Sequence, residues 1–349
     1  MRILHVLPHL IVGGAERLVL DLSARQLERE GWAVGVASAP GPLCSDLAPS
    51  VTYSAMPGYP RDPASIARWR RPLVAAVDAF QPDVVHTHAI QVTLPFVDIF
   101  RGVPVVMTSH TRRPFRDLVA VSMAGLRLCD LVSVTEAPGP VLRAVTSLGL
   151  TRIHSIPNGV DVAFWQDDDT AARPMSVLWV GRLNKVKRPE QAIEVIELVA
   201  REVPGVTLTI VGSGHLETAV HERAAASPLA ARITLIGNVD RGRLRSLYAG
   251  SRVILNTSQT EGLPMTMLEG AAAGCAPVAP ALPTLLTASL RGTAYYPPGS
   301  VRDAAERVVD ALLSDPPRLA VRDVRECEAG YATLYSQRLA RRANSRRAA

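Results

Sequence analysis

A chain of 349 residues, 48% apolar and 20% charged, has the material for two buried cores rather than one. Its net charge of +6 divides evenly between the halves, which suits anionic ligands or a membrane surface and does not call for nucleic acid. Cys44, Cys129, Cys275 and Cys327 stand far apart with no C-x-x-C, so the pattern points to neither a disulfide framework nor a zinc site.

Ile3–Leu7 reads as a buried strand, followed by Gly13-Gly14 and a helix from about Ala15 to Arg29. A Gly pair between strand and helix lets backbone approach a ligand. The polar Gly-Gly break argues against a signal peptide, and no apolar run reaches the roughly 18 residues a membrane helix needs. The protein is therefore expected in the cytoplasm. Ala33–Ser38 is a strand, and residues 40–63 read as loops around a short strand near Val51–Tyr53. The helix from Ala64 to Phe80 carries Arg68, Trp69, Arg70 and Arg71, either a solvated face or a peripheral membrane contact. In PDVVHTH, His86 and His88 share one strand face, without an evident third metal ligand. VPVVMTSH is again strand then loop, closed by His110, with Arg112, Arg113 and Arg116 after it.

Leu131–Thr135 is a strand, a helix lies near Pro140–Ser147, and Arg152–Ile156 is a strand leading into Pro157-Asn158-Gly159-Val160-Asp161. Asp167-Asp168-Asp169 has no strand before it and reads as a solvated linker rather than a D-x-D metal motif. From Val177 the strand–helix alternation resumes. A loop Gly181-Arg182-Leu183-Asn184-Lys185-Val186-Lys187-Arg188 holds the chain's two lysines among its many arginines. Strands at Thr207–Val211 and Ile233–Ile236 end in Gly212-Ser213-Gly214 and Gly237-Asn238-Val239, with helices at Pro189–Arg201, Glu217–Ala226 and Leu244–Gly250.

The strand Val253–Leu255 then leads to Glu261-Gly262-Leu263-Pro264 and a helix with apolar Met265, Leu268 and Ala272 on one face. Pro264 suits the helix's first turn. The N–H groups of Leu263, Met265 and Thr266 at its start would receive phosphate. Glu261 and Glu269 flank that anion site, a combination suited to a ligand bearing both phosphate and hydroxyls. Helices at Asp303–Leu313 and about Val321–Leu339 follow, and Arg338–Arg347 reads as a frayed tail.

EGLPMTMLE, with seven residues between Glu261 and Glu269, resembles the E-x7-E motif of glycosyltransferase family 4, retaining enzymes of GT-B architecture. GGAE at 13–16, IPNGVD at 156–161 and Gly181-Arg182-Leu183-x3-Lys187 occur in the family's order. Arg188 departs, standing where the family has glycine, and the segment after Ala279 lacks the family's G-G-x-x-E-x-I. Strand–helix alternation alone predicts doubly wound parallel sheets. The resemblance implies GT-B: two Rossmann-like domains facing a cleft, residues 1–158 on the acceptor side and 159–324 binding a nucleotide sugar. A last helix, about 325–349, would pack back on the first domain.

The resemblance further implies transfer of a sugar from a UDP- or GDP-sugar to an acceptor hydroxyl with retention. Arg182 and Lys187 would hold the diphosphate, Glu269 the ribose, and Glu261 the transferred sugar. His110 would line the acceptor side. Gly13, Gly14, Gly181, Gly237, Val239, Gly262, Leu263, Pro264, Met265, Thr266 and Glu269 would form the substrate contacts. No metal or other cofactor is expected, and the acceptor would be a glycan, lipid or small molecule. A nucleotide-sugar 2-epimerase of the same architecture, or a non-catalytic nucleotide-sugar binder, are the rival readings.

Overall fold

The computed structural model describes residues 1–110, 129–134, 152–166, 173–286, 290–315 and 319–348, without the side chains of 345–348. The chain packs as two units, Met1–Gly159 with Asp323–Ala349, and Val160–Arg322. Arg112, Arg113, Arg116, Asp167-Asp168-Asp169 and the helix expected near 140–147 lie outside the described residues.

The first unit is a seven-stranded parallel sheet in the order β3-β2-β1-β4-β5-β6-β7. Its strands are β1 (Arg2–His9), β2 (Ala33–Ala39), β3 (Thr52–Ala55), β4 (Val84–Thr87), β5 (Val105–Ser109), β6 (Cys129–Ser133) and β7 (Arg152–Ser155). The near-continuous apolar runs of β1, β4 and β5 are those of strands covered on both faces, and Ile3, Val6, Val84, Val85 and Val106 are wholly buried. Helices α1 (Gly14–Leu27) and α2 (Pro63–Phe80) cover it. Asp62 caps α2, accepting from the Ser65 N–H at 2.8 Å.

Trp69 is fully buried, stacked near Phe96 and donating its indole N–H to the Gly58 carbonyl at 2.7 Å. The aromatic of the arginine-rich stretch therefore belongs to the core, and a membrane patch built on it is lost. Apolar periodicity outweighs the charged neighbours here.

The second unit is a six-stranded parallel sheet, β10-β9-β8-β11-β12-β13. It comprises β8 (Ser176–Val180), β9 (Thr207–Val211), β10 (Ile233–Gly237), β11 (Val253–Leu255), β12 (Ala276–Pro280) and β13 (Ala294–Tyr296). The short helix α3 (Val162–Trp165) opens it. Helices α4 (Pro189–Val199), α5 (Glu217–Ala225), α6 (Arg241–Ala249), α7 (Met265–Ala272) and α8 (Val301–Leu313) flank the sheet. Val177, Ile193, Ile196, Leu208, Val253, Val278, Val308 and Leu312 share its core.

The last helix, α9 (Val324–Ala348), returns to the first unit. Arg29, two residues past the end of α1, forks onto Glu328 with two 2.7 Å bonds, and Tyr331 and Tyr335 are fully buried. The helix runs on through the stretch expected to fray. Arg338 Nε lies 2.6 Å from Asp130 Oδ2, on a carboxylate 1% exposed, so at least that arginine is anchored by a charge that needs a partner. At Gly159 a Cβ would stand 2.4 Å from the Asp323 carbonyl oxygen, and only glycine lets these two backbones meet. Among the described residues no helix is long and apolar enough to cross a membrane.

Candidate functional site

In doubly wound sheets the crevice lies beyond the carboxyl ends of the strands, where the strand order reverses. In the second unit that point falls between the neighbours β8 and β11, paired in parallel with Val253 opposite Val177. The two loops leaving these strands are 181–188 and 256–264, the two segments richest in candidate residues.

The structure joins them. Lys187 Nζ donates to Glu261 Oε1 at 2.5 Å. The same oxygen accepts from Ser258 Oγ at 2.6 Å and Asn256 Nδ2 at 3.1 Å. Oε2 has no partner among the described residues, so one carboxylate oxygen is fixed and the other is spare. Glu261 is 9% exposed and would be costly to bury without those three donors. Its backbone is held too, the carbonyl accepting from Thr284 Oγ1 at 2.8 Å.

The lysine loop is anchored from beneath. Thr257 Oγ1 lies 2.8 Å from both the Lys187 and the Arg188 carbonyl oxygens, and the Trp179 indole N–H donates to it at 2.9 Å. Asn184 Oδ1 accepts the Lys187 N–H at 3.0 Å. Arg188 has φ +50°, a left-handed backbone that L side chains rarely adopt. The family's glycine at this position thus has a physical reason, and this chain places arginine in the same conformation. Arg182 is exposed, with no ion pair among the described residues.

Gly181 donates to Val211 at 3.0 Å, and Gly212 to Gly237 at 2.8 Å, so the turns after β8, β9 and β10 are stitched side by side. Gly212 has φ +131°, and a Cβ there would fall 2.0 Å from the Gly181 carbonyl oxygen. Gly237 is also left-handed, at φ +78°. Val239 is half-buried in the next turn, which Asp240 closes by capping α6 through the Arg243 N–H at 2.8 Å.

Pro264 stands one position earlier than expected. Its ψ of 114° is extended, so it caps α7 instead of beginning it. Met267 N makes the first turn's bond to the Pro264 carbonyl at 3.1 Å, leaving the N–H groups of Met265 and Thr266 ahead of it. Gly262 is half-buried and Leu263 buried beside them. Inside α7, Glu269 is 6% exposed and accepts from Tyr248 Oη at 3.1 Å. Burial, and then the Glu269 charge, push the Tyr248 hydroxyl well above its usual range, so it stays a donor.

In the first unit the order reverses between β1 and β4. Gly13 caps α1 with extended backbone and Gly14 is exposed at its start. Glu16, in the first turn, lies 3.1 Å from His9 Nδ1. His88 and His110 meet here, Nδ1 to Nε2, at 3.0 Å. His5, opposite His86 in the strand register, completes a group of three buried histidines whose nitrogens lie within 4.8 Å of one another. Every ring nitrogen of these three already has a hydrogen-bond partner: Gln26 and His88 for His5, Tyr335 and Thr108 for His86, and His5 and His110 for His88. A metal would have to displace those bonds.

Sequence reasoning passed over Asn256, Thr257 and Ser258, Trp179, Tyr248, Thr284 and His5. The available signal was a run of five polar residues directly after a buried strand at a switch point, Asn256 to Thr260.

Comparison with known proteins shows the family likeness and the fold. Residues 12–164 match the family model described as Glycosyltransferase Family 4, and 167–323 the model described as Glycosyl transferases group 1. The chain is 30% identical over 212 residues to a glycogen synthase of Mycobacterium tuberculosis, covering 56% of this chain and 51% of that protein. It is 28% identical over 207 residues to a phosphatidylinositol N-acetylglucosaminyltransferase component of Arabidopsis thaliana, covering 55% and 45%. The chain thus spans about half the length of these curated relatives. Among solved structures, Anabaena HepE in complex with UDP-glucose superposes with a TM-score of 0.71 at 18% identity, over 97% of this chain and all of that one. The fold is GT-B.

Proposed function

Because this chain belongs to glycosyltransferase family 4, we propose that it moves a sugar from a nucleotide diphosphate donor to an acceptor hydroxyl, with retention of configuration. The observation that carries the proposal is the meeting of Lys187 and Glu261 across the switch point of the second unit. A cation and a carboxylate with one spare oxygen, just ahead of a helix start whose first N–H groups precede its first internal bond, match a ligand with both a diphosphate and sugar hydroxyls.

In this reading Arg182 and Lys187 hold the diphosphate. Negative charge grows on it as the glycosidic bond breaks, and fixed cations stabilise that change more than they stabilise the ground state. The Met265 and Thr266 N–H groups add to the same field. The spare oxygen of Glu261 takes a hydroxyl of the transferred sugar, and Glu269 takes the ribose. The leaving phosphate oxygen accepts the acceptor's proton on the same face, so the reaction requires no dedicated base, and the cations and the helix start supply the positive charge that a metal would otherwise bring. His110 serves the acceptor. The turns at Gly181, Gly212 and Gly237 to Val239 give the base a close backbone surface.

UDP is the first choice of nucleotide, supported by the UDP-glucose held by HepE, and GDP the second. The acceptor class is left open among glycans, lipids and small molecules. The test is phosphorus NMR of UDP titrated with protein. Broadening of the β-phosphate with the wild type, and its loss in Lys187→Ala, is the expected result. Equal binding by the two proteins would overturn the assignment of the diphosphate to this loop.

A further inference from the structure

Three histidines and one glutamine, from β1, α1 and the residues directly after β4 and β5, form a single file in the first unit. Gln26 Oε1 is 2.8 Å from His5 Nε2, His5 Nδ1 is 2.9 Å from His88 Nε2, and His88 Nδ1 is 3.0 Å from His110 Nε2. Burial lowers His5 and His110 to about 4, with the Glu16 charge opposing it at His110. It pushes His88 well below its usual value, helped by His86, His5 and His110. Each ring is therefore neutral at neutral pH and carries one N–H and one lone pair.

In a neutral imidazole, a nitrogen that donates obliges the other to accept. The sense of such a file is fixed by the group at its head. A carbonyl oxygen can only accept, so His5 donates from Nε2 to Gln26 and accepts at Nδ1. His88 then donates from Nε2 to His5, and His110 donates from Nε2 to His88. We propose that Gln26, His5 and His88 are positioning residues that lock His110 as the Nε2–H tautomer, with its Nδ1 lone pair left as an acceptor.

The far end of the file supports this sense. His110 Nδ1 is buried and has no partner among the described residues. An unpaired acceptor lone pair in an interior is tolerated more readily than an unpaired N–H. Running the file the other way, with the Gln26 amide turned round, would end it on a buried His110 N–H with no acceptor among the described residues and leave the Gln26 oxygen in the place where the amide nitrogen now lies without a partner. The second network beside it, Tyr335–His86–Thr108–Tyr331, holds His86 by its own two bonds of 2.6 and 2.7 Å. The inference rests on the geometry of the first unit and stands whether or not the transfer reaction does.

The experiment is long-range proton–nitrogen NMR of the full chain labelled with ¹⁵N-histidine at pH 7.5, with His110→Gln supplying the assignment. His5, His88 and His110 are expected as Nε2–H tautomers, with downfield protons shared between ring nitrogens. Gln26→Glu keeps an acceptor at the head and should leave the His110 pattern in place. Gln26→Leu removes the head and should shift His110 toward a tautomer mixture. An Nδ1–H or doubly protonated His110 in the wild type would overturn the proposal, as would an unchanged pattern in a folded Gln26→Leu. If Gln26→Leu does not fold, the wild-type tautomer and the Gln26→Glu pattern decide the matter.

Discussion

Replacing Thr257 by valine removes one hydroxyl and almost no volume, and it strikes the anchor of the lysine loop. That hydroxyl accepts from the Trp179 indole N–H at 2.9 Å, and its proton is shared by the Lys187 and Arg188 carbonyl oxygens, both at 2.8 Å. Two net hydrogen bonds are worth about 1 kcal/mol each. The indole N–H, on a side chain only 2% exposed, is left unsatisfied at a further cost of about 1–3 kcal/mol. The second unit should therefore lose about 3 kcal/mol, with partial relaxation taking the figure toward the lower end of the sum. Urea unfolding followed by tryptophan fluorescence measures it. Thr257→Ser, which keeps the hydroxyl, is the control and should lose about 1 kcal/mol through its missing methyl. The loosened loop should also weaken UDP binding in Thr257→Val more than in Thr257→Ser. Equal stability of the two variants would refute the reasoning, since it would make the methyl and not the hydroxyl the anchor.

Arg188 at φ +50° gives a second stability test: Arg188→Gly should be more stable than Arg188→Ala by about 1 kcal/mol in thermal melts, because only glycine relieves the left-handed strain. Lys187→Met should lower kcat/KM about 100-fold or more in a sugar-transfer assay, the usual scale for losing one fixed transition-state charge. Acid should unfold the first unit readily. His5 titrates near 6.5 when unfolded and at about 4 when folded, so unfolding takes up a proton between those values and stability falls as pH drops through them. For His5 alone the loss is about 3 kcal/mol, with His86 and His88 adding in the same direction, and urea titrations by circular dichroism at pH 7 and pH 4.5 would show it.

Much of the alternation of strands and helices was legible because parallel strands covered on both faces read as apolar runs. Val253–Leu255 was placed to the residue for that reason, and Thr207–Val211 by the alternation of Thr207 and Thr209 with the buried Leu208 and Ile210. Strand β13 was not, since three residues in a Tyr-Tyr-Pro-Pro context carry no period of their own. It matters to the site, because Tyr296 Oη donates to the Asn256 carbonyl at 2.7 Å. Trp69 and Arg338 were misread toward solvent, since their charged neighbours say nothing about what another part of the chain brings to them.

The motif residues Lys187 and Glu261 were visible as a likeness, but their contact was not. They lie 74 positions apart, and only the pairing of β8 with β11 joins their loops. The same limit hid His5. A lone histidine in β1 becomes part of a network only once the register sets it opposite His86. Cross-strand neighbours are a property of topology, and periodicity along one strand does not contain them.

The most direct test of retaining transfer is to incubate the purified protein with UDP-glucose, UDP-N-acetylglucosamine or GDP-mannose, without acceptor, and follow the anomeric protons by NMR. The account predicts line broadening for one of the uridine donors and slow release of its sugar, seen first as the α anomer, both lost in Lys187→Ala. A 2-epimer accumulating in place of released sugar, or a β anomer appearing first, would contradict it.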